Sequence, residues 1–465
     1  MSTRTEKDLL GEVTIDETRY YGINTARAVE NFRLPTPSVN LQLIHETALI
    51  KKAAAMANHK LGLLEQEKAD AIIRACEEVM EGRHEREFPV NSLQGGAGTS
   101  TNMNVNECIA NRAIEILGGS KGDYSILHPL NHVNMSQSTN DVNPTALRIA
   151  AIRLIRTLAD NLSDLQDELQ KKEDAFAGVL KLGRTELMDA LPMRGGQGFG
   201  AYAQAIARDR WRIYKSEERL RYINIGGTAI GTGLNALPKY SFLMTDYLQE
   251  LTGLGLARSE CPMDITQNAD VFVEVSGLLK ACAVNLMKIS GDLRLLSSGP
   301  FGGLGEILLP EVQAGSTIMP GKVNPVIPEM IGQVAIKVMA NDFAITTAAA
   351  AGQLELNAFL PLISECLLES LALLADGVKL FNEKCIQGIQ MDEQKCLEHL
   401  HRSTALAAGV IHYIGYDKAA ELSKKAAKEG ITLREAALGE SILPPETLER
   451  IFSINEITKP GIPGQ

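Results

Sequence analysis

The chain has 465 residues, 45% hydrophobic and 22% charged, with a formal net charge of −11. Length suggests about two to four domains, and the composition is that of a globular protein able to bury a large core. The acidity, with no basic stripe, argues against a nucleic-acid partner. No uncharged apolar run reaches about 18 residues, so no membrane-spanning helix is expected. Seven cysteines without a C-x-x-C pair point to reduced, mostly buried thiols. The start, MSTRTEKDLLGE, lacks an apolar signal core, so a cytoplasmic location is expected.

In chain order, the first thirty residues read as irregular. Polar stretches follow at 94–107 (QGGAGTSTNMNVNE) and 131–144 (NHVNMSQSTNDVNP). After NPTA, Ala151, Leu154, Leu158, Leu162, Leu165 and Leu169 step by three or four, which places them on one helical stripe. Pro144 and Thr145 suit its first turn. The pattern lasts about 25 residues, hence about 40 Å. GRTELMDA (183–190) interrupts the helical pattern, and RYINIGGTAIGTG (221–233) reads as a short strand or loop. A second stripe is Val275, Leu279, Cys282, Leu286, Ile289, Leu293 and Leu296. Then comes GSTIMPGKVNP (315–325), dense in Gly, Pro, Ser and Asn. A third helix is expected from Ile331 to Phe343. A fourth is expected from Leu354 to Val378, bent at Pro361. Helices this long pack side by side, and their apolar faces are too broad for one antiparallel pair. Burial against partner subunits is therefore expected. Boundaries fall near 140 and near 393, where MDEQKCLEHL opens a charged tail.

Five stretches (94–107, 131–144, 183–190, 224–236 and 315–325) share Ser, Thr, Asn and Gly. Neutral hydroxyl and amide donors, with glycines that let backbone N–H groups approach, suit a small anion. A carboxylate accepts about four hydrogen bonds, so a dicarboxylate would need two such nests. Read singly, each cluster is a helix cap; five beside long helices point to a binding site, and helix N-termini attract anions in any case. Other motifs fail. GSTIMPGK has one residue too many between its glycines for a phosphate loop, and Val323 follows the lysine. GTGLNA (231–236) is followed by no βαβ unit. The eight histidines include no H-E-x-x-H pair, and His399 and His401 read as solvated, so no metal is expected. No G-x-S-x-G elbow supports a Ser-His-Asp triad.

These stretches resemble a known family. GSTIMPGKVNP is similar to the signature loop of the aspartase/fumarase superfamily, and GAGTSTNMNVNE and SQSTNDVNPTA to its other two conserved regions. The likeness runs from EKDLLGE to TKPG. Within the superfamily, YYGINTARAVENF and VNPVIPE look more like the ammonia-lyase branch than the class II fumarases. The resemblance implies an all-α, three-domain subunit: an N-terminal domain (1–139), a central helix bundle (140–393) and a small C-terminal helical domain (394–465). It implies a homotetramer with a multi-helix core and active sites shared between three subunits. It also implies a small amino-acid or dicarboxylate substrate and no cofactor. The segment 315–325 would be a mobile loop, with Gly315 and Gly321 permitting motion and Pro320 and Pro325 limiting its shapes.

The implied reaction is a reversible anti elimination through an aci-carboxylate, so the site must stabilise charge that develops along the reaction path. Ser316 matches the catalytic base, assisted by backbone N–H groups and Lys322. Thr99, Ser138, Thr139 and Thr317 match positions that hold the carboxylate beside the attacked carbon. Lys322 and Asn324 match those gripping the other carboxylate, and Asn140 and Thr185 those near the departing amino group. Several positions depart from the pattern: Glu186 where His or Gln is usual, Met188 for Gln, Thr317 for Ser, and Gly198 and Gly200 for bulkier residues. Glu186 either attracts the substrate ammonium or pairs with Arg184, or else it marks a wall rebuilt for a bulkier or more cationic amine. A fumarase reading is disfavoured by that charge. A structural role is disfavoured because Ser316, Lys322 and Asn324 are all present.

Overall fold

The computed structural model describes residues 2–465. The fold is all-α, with four two-stranded sheets as minor elements. The chain opens on an antiparallel hairpin, β1 (Thr3–Asp8) and β2 (Gly11–Asp16), where the sequence reads as irregular. Its strands are polar, and Glu6 and Ile15 are their only buried residues, so no apolar alternation marks them. Helices α1 (Ile23–Asn31), α2 (Leu41–Lys60), α3 (Gln66–Met80) and α4 (Thr99–Ile116) follow.

Helix α5 (Thr139–Ala175) has 37 residues. It carries the expected stripe: Ala151, Leu158, Leu162, Leu165 and Leu169 are fully buried. It begins before Pro144, which therefore lies inside it rather than in its first turn. A proline there has no N–H for the carbonyl four residues back, that of Asn140. Asn224 Nδ2 donates to that carbonyl instead, at 3.0 Å, which is why the helix survives the proline.

Strands β3 (Leu180–Thr185) and β4 (Met188–Arg194) form a hairpin within the stretch read as a polar break. After α6 (Gly195–Leu220), β5 (Tyr222–Ile223) pairs in parallel with β6 (Ala257–Arg258), around α7 (Tyr240–Thr252). Then come α8 (Pro262–Gln267) and α9 (Asp270–Leu296). In α9 the stripe from Val275 to Leu293 is buried throughout. Burying a Leu, Ile or Val side chain contributes about 1.5–3 kcal/mol, so this face alone favours the helix.

Strand β7 (Ile307–Leu308) pairs with β8 (Gln390–Met391). Between them lie α10 (Val326–Ala350) and α11 (Leu360–Lys384). The fourth expected helix thus starts at Leu360, six residues later than its pattern suggests. Pro361 sits in its first turn, where the missing N–H is tolerated, and does not bend it. Helix α12 (Glu393–Arg402) opens a C-terminal set of shorter helices, including Tyr416–Glu429, Leu433–Gly439 and Pro445–Ile451. Their small core is built on Leu400, Leu406, Leu422, Leu433, Leu448 and Ile451. Among the described residues no helix is long and apolar enough to cross a membrane. Six of the seven cysteines are buried, and all are free thiols.

The backbone forms two compact units. The first holds residues up to Ala159, Trp211–Ala281 and Ile336–Ala375; the second holds Asp160–Arg210, Cys282–Ala335 and Asp376–Gln465.

Candidate active site

In the first unit, three of the five polar stretches converge. Gly96, Ala97 and Gly98 run through positive φ values of 89°, 55° and 96°, and the chain then turns into α4 at Thr99. Thr99 is exposed, and its hydroxyl donates to the Gly96 carbonyl at 2.8 Å. Gly98 is required by proximity as well as by φ. A Cβ there would lie 2.2 Å from Asn143 Nδ2, which donates to the Ala97 carbonyl.

The N-terminus of α5 lies beside it. Asn102 Nδ2 of α4 donates to Thr139 Oγ1 at 3.1 Å. The Ser138 hydroxyl accepts from Asn140 N at 3.2 Å. Asn140 Nδ2 donates to the Ala229 carbonyl at 2.7 Å, which brings in the 224–236 stretch. Beneath them is Asp141, fully buried. One of its oxygens accepts from Ser138 N, the other from Gly226 N and Thr228 N, each at 3.0 Å. Burial pushes its carboxyl up to about 7 against the pull of those three N–H groups. Lys51, also fully buried, donates to Asn134 Oδ1 and Gln137 Oε1 at 2.9 Å. Burial pulls its ammonium down to about 7, countered by the charge of Asp141. Ser138, Thr139 and Asn140 thus sit at the positive end of a 37-residue helix, with their backbone fixed from below.

The second unit carries the other six candidates. Strands β3 and β4 meet in a two-residue turn, Glu186–Leu187, at positive φ values of 54° and 64°. Two consecutive positive φ values suit the twist of an antiparallel hairpin. Thr185 and Glu186 are exposed at this tip. Arg184 does not serve Glu186. Its guanidinium is 2.6 Å from Glu306, a fully buried carboxylate that also holds His399 at 2.9 Å and Lys181 at 3.1 Å. The His399 ring therefore has a buried carboxylate as its hydrogen-bond partner, contrary to the solvated reading of its sequence context. Burial opposes ionisation of Glu306, but Arg184, Lys181 and His399 outweigh it and hold its carboxyl below the usual range.

Segment 315–325 is a loop closed at its own neck. Gly315 N donates to the Lys322 carbonyl at 2.9 Å, and Asn324 Nδ2 to the Gly315 carbonyl at 2.7 Å. Gly315 fits because a Cβ would lie 2.6 Å from Asn324 N and 2.7 Å from the Lys322 carbonyl oxygen. Inside the ring, the Ser316 hydroxyl accepts from Ile318 N at 3.2 Å and Met319 N at 2.7 Å. Two N–H groups aimed at one hydroxyl oxygen stabilise its deprotonated form. Thr317 and Lys322 are exposed. Among the described residues no three His, Cys, Asp or Glu side chains are placed to hold a metal ion.

Four candidates (Thr99, Ser138, Thr139, Asn140) therefore gather at two helix N-termini in the first unit. Thr185 and Glu186 share a hairpin tip, and Ser316, Thr317, Lys322 and Asn324 share a loop, in the second. The supporting residues Lys51, Asn102, Asp141, Asn224 and Glu306 are not singled out by sequence reasoning. For Lys51, Asp141 and Glu306 the one local signal is a charged side chain set among apolar or small neighbours, as Lys51 is in LIKKAAAMA; Asn102 and Asn224 have none.

Comparison with known proteins identifies the family. A family model described as "Lyase" matches residues 11–340, and one described as "Fumarase C C-terminus" matches residues 404–459. An aspartate ammonia-lyase from Bacillus sp is 46% identical over 462 residues, 99% of each chain. One from Pseudomonas aeruginosa is 45% identical, covering 99% of this chain and 98% of its own. Among solved structures, a class II fumarase from Schistosoma mansoni superposes with a TM-score of 0.94 at 36% identity, covering 99% of this chain and 100% of the other. A fumarate lyase/delta crystallin from Brucella melitensis gives 0.93 at 44%, covering 97% and 98%. With the family models spanning most of the chain and relatives matching it end to end, this protein belongs to the aspartase/fumarase superfamily of lyases.

Proposed function

We propose that the protein is an aspartate ammonia-lyase, catalysing reversible anti elimination of ammonia from L-aspartate to give fumarate. The observation that carries the mechanism is the Ser316 hydroxyl accepting two backbone N–H groups inside a closed loop. A serine hydroxyl is a weak acid, and fixed donors together with the Lys322 cation favour its ionised form. Ser316 Oγ takes the proton from the carbon beside a carboxylate; the electron pair passes into that carboxylate, giving the aci-carboxylate; the C–N bond then breaks and ammonia leaves. Thr99, Ser138, Thr139 and Thr317 hold the carboxylate on which charge grows, each donor contributing about 3 kcal/mol to the transition state. Lys322 and Asn324 grip the second carboxylate, and Asn140 and Thr185 face the amino group. The choice of aspartate rests on the full-length relatives of that name.

The site on this reading is completed by a homotetramer, with the three-part division at 139/140 and 393/394. Large apolar side chains left exposed along the long helices support assembly: Phe343 is 75% exposed, Ile336 55% and Val284 50%. A cytoplasmic setting fits the free thiols. A second reading, a lyase for a more cationic amine, is favoured by one observation. Arg184 is committed to Glu306, so Glu186 keeps its charge at the hairpin tip.

The test is formation of the unsaturated product, followed by ultraviolet absorbance together with ammonia release, from aspartate, malate and a panel of amino acids and amines; the product from aspartate and malate is fumarate. Ser316→Ala is expected to lower aspartate turnover by about 10²–10⁴-fold, the usual worth of a positioned base. Turnover near the normal rate in that variant would refute the mechanism. A faster reaction with another amine would refute the substrate.

A further inference from the structure

We propose that Glu306 is a positioning residue for this reaction: a single buried carboxylate that holds the hairpin tip bearing Thr185 and Glu186 and the root of the Ser316 loop in one frame. The inference rests on the mechanism given above for its catalytic consequence, and on geometry alone for the coupling itself.

Three segments far apart in sequence meet at this side chain. Arg184, next to Thr185, and His399 of α12 both reach Oε1, while Lys181 reaches Oε2. The backbone of Glu306 is tied as well. Its carbonyl accepts from Asp392 N at 3.0 Å, and its N–H donates to the Leu296 carbonyl at 2.9 Å. From Glu306 the chain runs through β7 and, after residues 309–314, reaches Gly315 at the neck of the Ser316 loop.

The hairpin is built to allow the convergence. Lys181 and Arg184 are three residues apart, which on a regular strand sends them to opposite faces. The β3–β4 register slips between Leu182 and Arg184, and that irregularity turns both cations towards one carboxylate. Gly183 occupies the slip because any Cβ there would lie 2.6 Å from the Leu191 carbonyl oxygen. Stability alone does not call for such an arrangement. A buried charge cluster is often no more stabilising than apolar residues of the same volume. What it supplies is direction. Arg184 and Lys181, both on β3, hold the two oxygens of one carboxylate, so the strand leading to Thr185 cannot slide relative to Glu306 without breaking both contacts.

The test uses the full-length enzyme and three variants, Glu306→Gln, Glu306→Asp and His399→Gln, with Ser316→Ala as control. Hydrogen exchange is followed in the peptides covering 183–190 and 309–325, alongside steady-state kinetics with L-aspartate. Glu306→Gln is expected to raise exchange in both peptides together. It is expected to lower kcat by about 10–100-fold, the scale of a small misplacement of catalytic groups, with a smaller change in KM. His399→Gln, which leaves Arg184 and Lys181 in place, is expected to do the same to a lesser degree, and it decides the matter if Glu306→Gln does not fold. Glu306→Asp is expected to recover part of kcat. A merely structural role would lower the urea midpoint while leaving kcat per folded enzyme and the loop's exchange at wild-type values, and that result would overturn the proposal. So would exchange rising in the hairpin peptide alone. If the wild type does not turn over aspartate, the functional reading fails, but the paired exchange response still decides whether Glu306 couples the two segments. Ser316→Ala separates the two questions, since it removes turnover and frees Ile318 N and Met319 N within the loop peptide alone, leaving exchange in 183–190 unchanged.

Discussion

Replacing Gly98 by alanine tests whether the turn into α4 is shaped by the approach of Asn143. At φ 96° an L-residue is strained by about 1–3 kcal/mol. The new methyl would also lie 2.2 Å from Asn143 Nδ2 and 2.8 Å from its Cγ, an overlap that only movement can relieve. Moving Asn143 breaks its bond to the Ala97 carbonyl, worth about 0.5–1.5 kcal/mol. Together the variant should lose about 2–4 kcal/mol locally. The loss falls on the residue just before Thr99. On the proposed mechanism, kcat/KM for aspartate should drop by about 10–100-fold, since a shift of about 1 Å in a positioning group has that effect. The double variant with Asn143→Ala identifies the cause. Asn143→Ala alone should be harmful, but in the Gly98→Ala background it should restore part of kcat/KM, because it removes the clash and leaves only the φ strain. A Gly98→Ala enzyme within twofold of wild type, or a double variant no better than the single one, would refute the reasoning.

Asn224→Leu should cost about 1–3 kcal/mol, because the Asn140 carbonyl opposite Pro144 loses its donor in a buried place; urea unfolding measures it, and an unchanged midpoint would count against the account. Glu78 offers a pH test. The Arg112 guanidinium holds its carboxyl down at about 2, so its contribution is fully present above pH 4.5 and is lost as pH falls from there towards 2. Glu78→Gln should therefore have a shallower acid limb in a plot of stability against pH, and an identical limb would refute that assignment.

The long helices were legible because their stripes are strictly periodic: in α9 every residue from Val275 to Leu293 picked by spacing is buried. The clustering of polar stretches was legible by composition, and three of them do converge in the first unit. Element starts were less so. Pro144 looks like a first-turn residue, yet α5 runs through it because the side chain of Asn224, 84 residues beyond Asn140, replaces the missing donor. The N-terminal hairpin has no apolar alternation to detect, and its most apolar pair, Leu9 and Leu10, is exposed in the turn. The pairing of Glu186 with Arg184, one of the alternatives open in the sequence, rested on adjacency. The guanidinium chose a carboxylate 122 positions away because burial strengthens that pair and the register slip aims Arg184 towards it. Partnerships of that kind depend on tertiary placement, and no local pattern announces them.

The neck of the Ser316 loop has a kinetic consequence. With Gly315, Lys322 and Asn324 already bonded, the donors around the hydroxyl are arranged before any substrate arrives. Fixing a free backbone costs about 1–2 kcal/mol per residue, so an open strand of this length would have to be ordered anew in every catalytic cycle. A pre-tied ring confines that expense to folding.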